Sequence, residues 1–153
     1  MKQLLFLCLG PFLAIQVSFS QQKGYYRGPS IHGNLVVFTA EGDLWKYDRS
    51  TGITNRLTTH SGVESRPVIS PDGKQIVFAG QYEGATELYL MNSTGGVPKR
   101  LTYNVDGGVK PLQWTPDGKI LYSTLGYNLL PDRQLVKLDP VTLNFEIVPN
   151  ICT

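Results

Sequence analysis

Apolar residues along this chain fall in short runs separated by turn-forming clusters. Leu35-Val36-Val37-Phe38, Ile76-Val77-Phe78 and Ile120-Leu121-Tyr122 are continuous apolar stretches. Each is followed by a second segment: Asp43-Leu44-Trp45-Lys46-Tyr47-Asp48, Glu87-Leu88-Tyr89-Leu90-Met91-Asn92 and Gln134-Leu135-Val136-Lys137-Leu138-Asp139. A third segment closes each unit, as Arg56-Leu57-Thr58, Arg100-Leu101-Thr102 and the looser Glu146-Ile147-Val148. Short runs of Val, Ile, Leu, Phe and Tyr between Gly, Pro, Asp and Ser clusters read as strands. Beyond the N-terminal segment, no stretch of about ten residues carries a helical apolar period. The pattern predicts an all-β chain.

The same pattern selects among all-β folds. In a two-sheet sandwich alternate side chains face water and should be polar. Here Leu88 and Leu90 lie on one face of their strand and Tyr89 and Met91 on the other. Strands apolar on both faces are expected where each sheet is covered by two neighbours, as in radial stacking.

A repeat supports this. Ser70-Pro71-Asp72-Gly73-Lys74 recurs as Thr115-Pro116-Asp117-Gly118-Lys119, with a weaker copy at His32-Gly33-Asn34. Gly33, Gly73 and Gly118 are spaced by 40 and 45 residues, the period of a four-stranded propeller blade. In Pro-Asp-Gly the Pro fixes φ, the Asp tolerates a left-handed conformation and the Gly supplies it freely, so a hairpin turn is expected. Ser50-Thr51-Gly52, Ser93-Thr94-Gly95-Gly96 and Pro140-Val141-Thr142 mark second turns. The expected fold is a partial β-propeller of three four-stranded antiparallel blades, over roughly residues 25–60, 64–104 and 109–149. Closed propellers use about four to eight blades. An open arc should leave an apolar blade face at each end, so the chain is expected to be the N-terminal portion of a longer protein.

The first residues differ in character. Met1-Lys2-Gln3 is a basic start, Leu4 to Phe19 is mostly apolar, and Ser18-Phe19-Ser20 offers small residues for signal peptidase. Residues 1–20 are expected to be a signal peptide and 21–153 the exported chain, periplasmic or secreted, without a membrane anchor. Cleavage removes Cys8 and leaves Cys152, either a buried apolar residue of a longer parent or a free thiol. A formal charge of +2 without Lys/Arg runs gives no footprint for nucleic acid.

Catalytic patterns are missing. Neither His32 nor His60 has Cys or carboxylate partners at metal-ligand spacing. No Gly-x-Ser-x-Gly elbow, phosphate-cradling loop or dinucleotide fingerprint occurs. No catalytic, metal-binding or cofactor-binding residue is assigned, and no cofactor is expected. Asn92-Ser93-Thr94 is a glycosylation sequon at a hairpin turn, where those residues are favoured anyway. Meander geometry puts the tight turns on one propeller face and the longer loops and blade connectors on the other. That loop face receives His60, Tyr82, Glu83, Tyr103, Asp106 and Tyr127. His60, Tyr82, Tyr103 and Asp106 are the binding candidates, because loops that vary on a repeating scaffold are where binding resides.

The ordered series Leu57-Thr58-Thr59-His60-Ser61-Gly62-Val63-Glu64, Ser70-Pro71-Asp72-Gly73-Lys74, Phe78-Ala79-Gly80-Gln81-Tyr82-Glu83-Gly84, Lys99-Arg100-Leu101-Thr102-Tyr103 and Trp114-Thr115-Pro116-Asp117-Gly118 resembles the first propeller of bacterial tricorn-type proteases. Tyr26-Arg27-Gly28-Pro29-Ser30-Ile31-His32-Gly33 with Gly42-Asp43-Leu44-Trp45 resembles that family's opening blade. The resemblance implies a large homo-oligomeric serine peptidase whose propellers form channels that admit or release oligopeptides. Its catalytic domain would lie far beyond residue 153, so this chain's partners would be the remainder of the parent polypeptide and peptides or proteins on the loop face. TolB-type propellers share Ser-Pro-Asp-Gly, which leaves a protein-binding propeller with no enzymatic domain as the alternative. A dipeptidyl-peptidase propeller would instead carry a downstream α/β-hydrolase domain.

Overall fold

The computed structural model describes residues 25–103, 108–125 and 133–149. Twelve strands follow in order among them. β1 (Tyr26–His32), β2 (Leu35–Ala40), β3 (Asp43–Asp48) and β4 (Ile53–Arg56) form one antiparallel sheet. β5 (Glu64–Ile69), β6 (Gln75–Gly80), β7 (Glu87–Asn92) and β8 (Lys99–Arg100) form a second. β9 (Lys110–Trp114), β10 (Ile120–Thr124), β11 (Gln134–Leu138) and β12 (Phe145–Ile147) form the third. Each sheet is a simple meander, and no helix occurs among the described residues. The expected all-β partial propeller is what the chain forms.

The turns work as their chemistry requires. Gly33, Gly73 and Gly118 hold φ of 56°, 72° and 77°, the left-handed region that a side chain disfavours. The Gly73 N–H donates to the Ser70 carbonyl at 2.9 Å, and the Gly118 N–H to the Thr115 carbonyl at 3.0 Å. The Asp72 carboxylate accepts from the Ser70 hydroxyl at 2.6 Å and the Lys74 N–H at 3.1 Å, which closes an Asx-type turn.

Sheet two is the middle layer, and both its faces are buried. Ile76, Phe78, Tyr89 and Met91 pack against Val37 and Leu44 of sheet one. Val77, Leu88, Leu90 and Leu101 pack against Val109, Ile120, Tyr122, Val136 and Leu138 of sheet three. Alternation along β7 therefore feeds two cores, as the double-faced apolar pattern requires.

The two outer faces differ from each other. On sheet one, Tyr26 meets Phe38 edge-on with ring centroids 5.1 Å apart. Val36 and Tyr47, and Phe38 and Trp45, are cross-strand partners on the same half-buried face. On sheet three the corresponding face carries Lys137, 3.4 Å from both Asp117 and Glu146, beside exposed Leu135. The expectation of an apolar face at each end holds for sheet one. On sheet three that face is mixed: the Lys137–Glu146 cross-strand pair stands beside Leu121 and Leu135.

The first strands converge: β1 lies beside β5, and β5 beside β9. Each carries a proline (Pro29, Pro67, Pro111) at or next to a break in register with its neighbour. Proline has no N–H to give the ladder, so the bulge absorbs it.

Candidate functional site

The loop face is built by the β4–β5 connector and the β6–β7 loop. Main-chain bonds fix both ends of the connector: Leu57 N–H donates to the Leu44 carbonyl at 2.7 Å, and Glu64 N–H to the Gly42 carbonyl at 2.7 Å. Between them, Gly62 N–H donates to His60 Nδ1 at 2.9 Å. Gly62 also lies so close to the neighbouring loop that an added Cβ would sit 2.1 Å from the Gln81 carbonyl oxygen. Glycine is what allows the two loops to touch.

This contact brings His60 and Tyr82 together. Their ring centroids are 3.9 Å apart, and Tyr82 continues onto Tyr89 at 4.4 Å. The Tyr82 hydroxyl donates to Glu64. Glu64 is fully buried, with 0% exposure. Its second carboxylate oxygen accepts from the Thr58 hydroxyl and from the Leu44 N–H at 3.1 Å. Burial raises the Glu64 carboxyl above its ordinary value, and the bonds from Thr58, Tyr82 and Leu44 act against that rise. Burial, and then the bond to Glu64, raise the Tyr82 hydroxyl strongly. A cleft of about 320 Å³ opens beside His60 and Tyr82, with Leu57, Thr59, Val97 and Pro98 in its walls.

Tyr103 belongs to a second cluster. The Arg100 guanidinium stands 4.5 Å above its ring. The same guanidinium pairs with Glu83 at 2.5 Å and with buried Glu87 at 3.2 Å. Glu87 also accepts from the Thr102 hydroxyl, whose oxygen accepts from the Leu88 N–H at 2.9 Å. Since Glu83 follows Tyr82 directly, the β6–β7 loop links the two clusters. Asp106 and Tyr127 lie outside the described residues.

Sequence reasoning passed over Glu64, Glu87 and Arg100. The signal for two of them was present as a repeat. An acidic residue opens β3 or β7, an Arg thirteen positions later pairs with it, and a Thr two further on accepts from the intervening Leu N–H. Asp43, Arg56 and Thr58 make this clamp in sheet one, and Glu87, Arg100 and Thr102 make it in sheet two. In sheet three Gln134, Ile147 and Pro149 replace them, and the Gln134 side-chain oxygen is buried without a hydrogen-bond partner.

Among the described residues, no group of three or more His, Cys, Asp or Glu side chains gathers to hold a metal ion. The Thr58 and Thr102 hydroxyls are both committed to carboxylates. The loop face presents the stacked rings of His60 and Tyr82 and the Arg100 guanidinium over the Tyr103 ring.

Known proteins give this arrangement its setting. The family described as the Tricorn protease N-terminal beta propeller domain matches residues 23–149. A Tricorn-like protease N-terminal subunit of Sulfurisphaera tokodaii is 36% identical over 109 residues, which cover 69% of this chain and 55% of that protein. Tricorn protease homolog 1 of Streptomyces coelicolor is 37% identical over 103 residues, covering 67% of this chain and 10% of that one. The chain thus spans about half the length of the first relative and a tenth of the second. Among solved structures, the tricorn protease superposes with a TM-score of 0.71 at 25% identity, over 82% of this chain and 13% of that one. TolB from Acinetobacter baumannii superposes with a TM-score of 0.66 at 25% identity, over 78% of this chain and 31% of that one. A match that spans all of the described residues, on a fold of three stacked meanders, places this chain in the tricorn protease N-terminal β-propeller family.

Proposed function

We propose that this chain is an exported, non-catalytic propeller segment of a tricorn-like serine peptidase, and that its converging strands β1, β5 and β9 form part of the wall of a channel for oligopeptides. The observation that carries the reading is the pairing of family with extent: a tricorn propeller match over residues 23–149, and a 103-residue alignment that covers only 10% of Tricorn protease homolog 1. Hydrolysis then belongs to the remainder of the parent polypeptide, which is this chain's principal partner within a homo-oligomer. The basic and apolar stretch over residues 1–20 supports export.

The test is photo-crosslinking of oligopeptides to the assembled parent. Label should appear on β1, β5 and β9. Label confined to β4, β8 and β12 at the perimeter would overturn the channel role. A second reading has one specific observation behind it. The Tol-Pal system protein TolB of Francisella tularensis is 36% identical over 74 residues. On that reading the propeller binds a protein and no peptidase domain is attached. Crosslinking to a folded protein, with no peptide label, would favour it.

A further inference from the structure

Sheet two is covered on both sides, whereas sheets one and three each keep one outer face. The cross-strand pairs on those two faces repeat the two halves of a junction that already exists inside the molecule. Where sheet one packs on sheet two, it presents Val37 opposite Lys46 and Thr39 opposite Leu44. Sheet two presents Ile76 opposite Met91 and Phe78 opposite Tyr89. Val37 and Leu44 pack against these four.

The outer face of sheet three carries Leu121 opposite Lys137 and Ser123 opposite Leu135. These are the residue classes of Val37–Lys46 and Thr39–Leu44, at the same places in the blade. The outer face of sheet one carries Val36 opposite Tyr47 and Phe38 opposite Trp45. They are the counterparts of Ile76–Met91 and Phe78–Tyr89. Sheet three therefore offers one half of the first junction, and sheet one offers the other. Lys137 is no obstacle, because Lys46 is already half-buried at its place in the existing junction. A lysine stem covers apolar surface while its ammonium stays at the rim. For Lys137, Asp117 and Glu146 stand 3.4 Å from that ammonium.

We propose that a second copy of this chain covers both end faces, with sheet three of each copy packed on sheet one of the other, so that two arcs close into one ring. The contact is heterologous, and such contacts stay finite only when the rotation closes. Closed propellers use about four to eight blades. Two copies of three sheets supply six, inside that range, and three copies exceed it. Closure in pairs also forms the junction twice in one association event and leaves neither face in water. β12 is the rim strand of sheet three, so polypeptide that continues beyond it leaves from the rim and does not cross the new junction. The inference goes beyond the channel reading and does not depend on it.

The test is site-directed crosslinking of the full chain, with Cys8 and Cys152 replaced by Ser. Leu135 stands in sheet three where Leu44 stands in sheet one, and Tyr26 stands in sheet one where Glu64 stands in sheet two. The Leu44 N–H and the Glu64 carboxylate are 3.1 Å apart, so Tyr26→Cys and Leu135→Cys should meet across the new junction. Tyr26 is 65% exposed and Leu135 38%, so neither change empties the core. Treated with a short bismaleimide, the chain carrying both cysteines should run on a denaturing gel as a dimer and nothing larger. Each single variant should run as a monomer, and co-expressing the two should restore the dimer. Light scattering of the unmodified chain should give twice the chain mass, and Leu135→Asp, which puts a carboxylate into the apolar junction, should halve it. A ladder of higher species would mean an open head-to-tail filament, and dimers of Tyr26→Cys alone would mean sheet one on sheet one; either overturns the proposal. So does a monomer in both measurements, or an undiminished dimer in Leu135→Asp. In a parent with further blades, a lack of crosslinks between copies would mean that a later blade of the same chain covers sheet one, which also overturns it. Peptide labelling of β1, β5 and β9 does not depend on any of these outcomes, so ring closure and the channel role fail separately.

Discussion

Between sheets one and two, the buried layer is half apolar and half a hydrogen-bonded polar group. Val37, Leu44, Ile76, Phe78 and Met91 fill its centre. At its loop-face end, Glu64 of sheet two reaches Leu44 and Thr58 of sheet one and Tyr82 of its own sheet. Between sheets two and three, nine buried hydrophobic residues form the layer, and Val109 occupies the start of sheet three where Glu64 starts sheet two. Apolar burial is non-directional and indifferent to protonation. A buried carboxylate fixes position through its bonds and responds to pH. The first junction thus has a hydrogen-bonded carboxylate as a register pin at the place where the second has Val109.

Core truncation gives the largest expected effect and sets the baseline. Phe78→Ala in the first junction should cost about 3–5 kcal/mol, and Ile120→Ala in the second about 2–5 kcal/mol. Chemical denaturation at several pH values should show the Ile120→Ala loss to be constant. A loss that varied strongly with pH would mean that the second junction is not the apolar layer described.

Glu64→Ala comes next. It leaves the Thr58 and Tyr82 hydroxyls without their acceptor in a buried layer and should cost about 2–3 kcal/mol. The equivalent change in the second junction, Val109→Ala, removes only methyl groups and should cost about 1–2.5 kcal/mol. If Glu64→Ala proved neutral in urea titrations, the pin would not exist.

The strands that were legible in the sequence are those whose surroundings are purely apolar. β2, β3, β6, β7, β10 and β11 show as hydrophobic runs between turn residues because each is covered by a neighbouring sheet or strand. The first strands were hidden. Arg66-Pro67 and Lys110-Pro111 combine a cation with a residue that cannot donate to a ladder, which reads as loop until a bulge is known to absorb it. Glu64 was hidden for a related reason. Between Val63 and Ser65, a lone carboxylate reads as solvated, and its burial depends on Thr58 and Tyr82 arriving from other segments. His60 and Tyr82 were legible as loop-face positions because turn chemistry fixes the meander, but their stacking depends on the close approach at Gly62.

Glu64→Gln sharpens the comparison through pH. The folded carboxyl lies above its ordinary value of 4.5, and burial is the largest cause. A carboxyl raised in this way contributes stability that is fully present below the unfolded value and lost as pH rises through the folded one. Asp48, Asp72, Asp117 and Asp139 are lowered by hydrogen bonds and act in the opposite direction, but they are common to both proteins. The difference between wild type and Glu64→Gln isolates the one group. Wild type should lose stability relative to the Gln variant as pH rises from about 4.5, and two parallel stability curves would show that Glu64 is not the titrating group of this junction.

The smallest expected effect concerns the edge of the first junction where β1 lies beside β5. Arg66→Gly relieves a left-handed non-glycine backbone, a conformation that costs about 1–2 kcal/mol for a residue with a Cβ. The same change raises the entropy of the unfolded chain, which opposes it by roughly 0.5–1 kcal/mol. The two terms nearly offset, and Arg66 has no ion pair to lose among the described residues. Stability should therefore stay within about 0.5 kcal/mol of wild type by thermal and urea unfolding. Gly28, the counterpart in sheet one, should behave differently: Gly28→Ala introduces the same strain with no relief and should destabilise by about 1 kcal/mol. If Arg66→Gly instead destabilised by more than about 2 kcal/mol, the arginine side chain would be holding the two sheets together. Its position at the bulge would then be explained by packing.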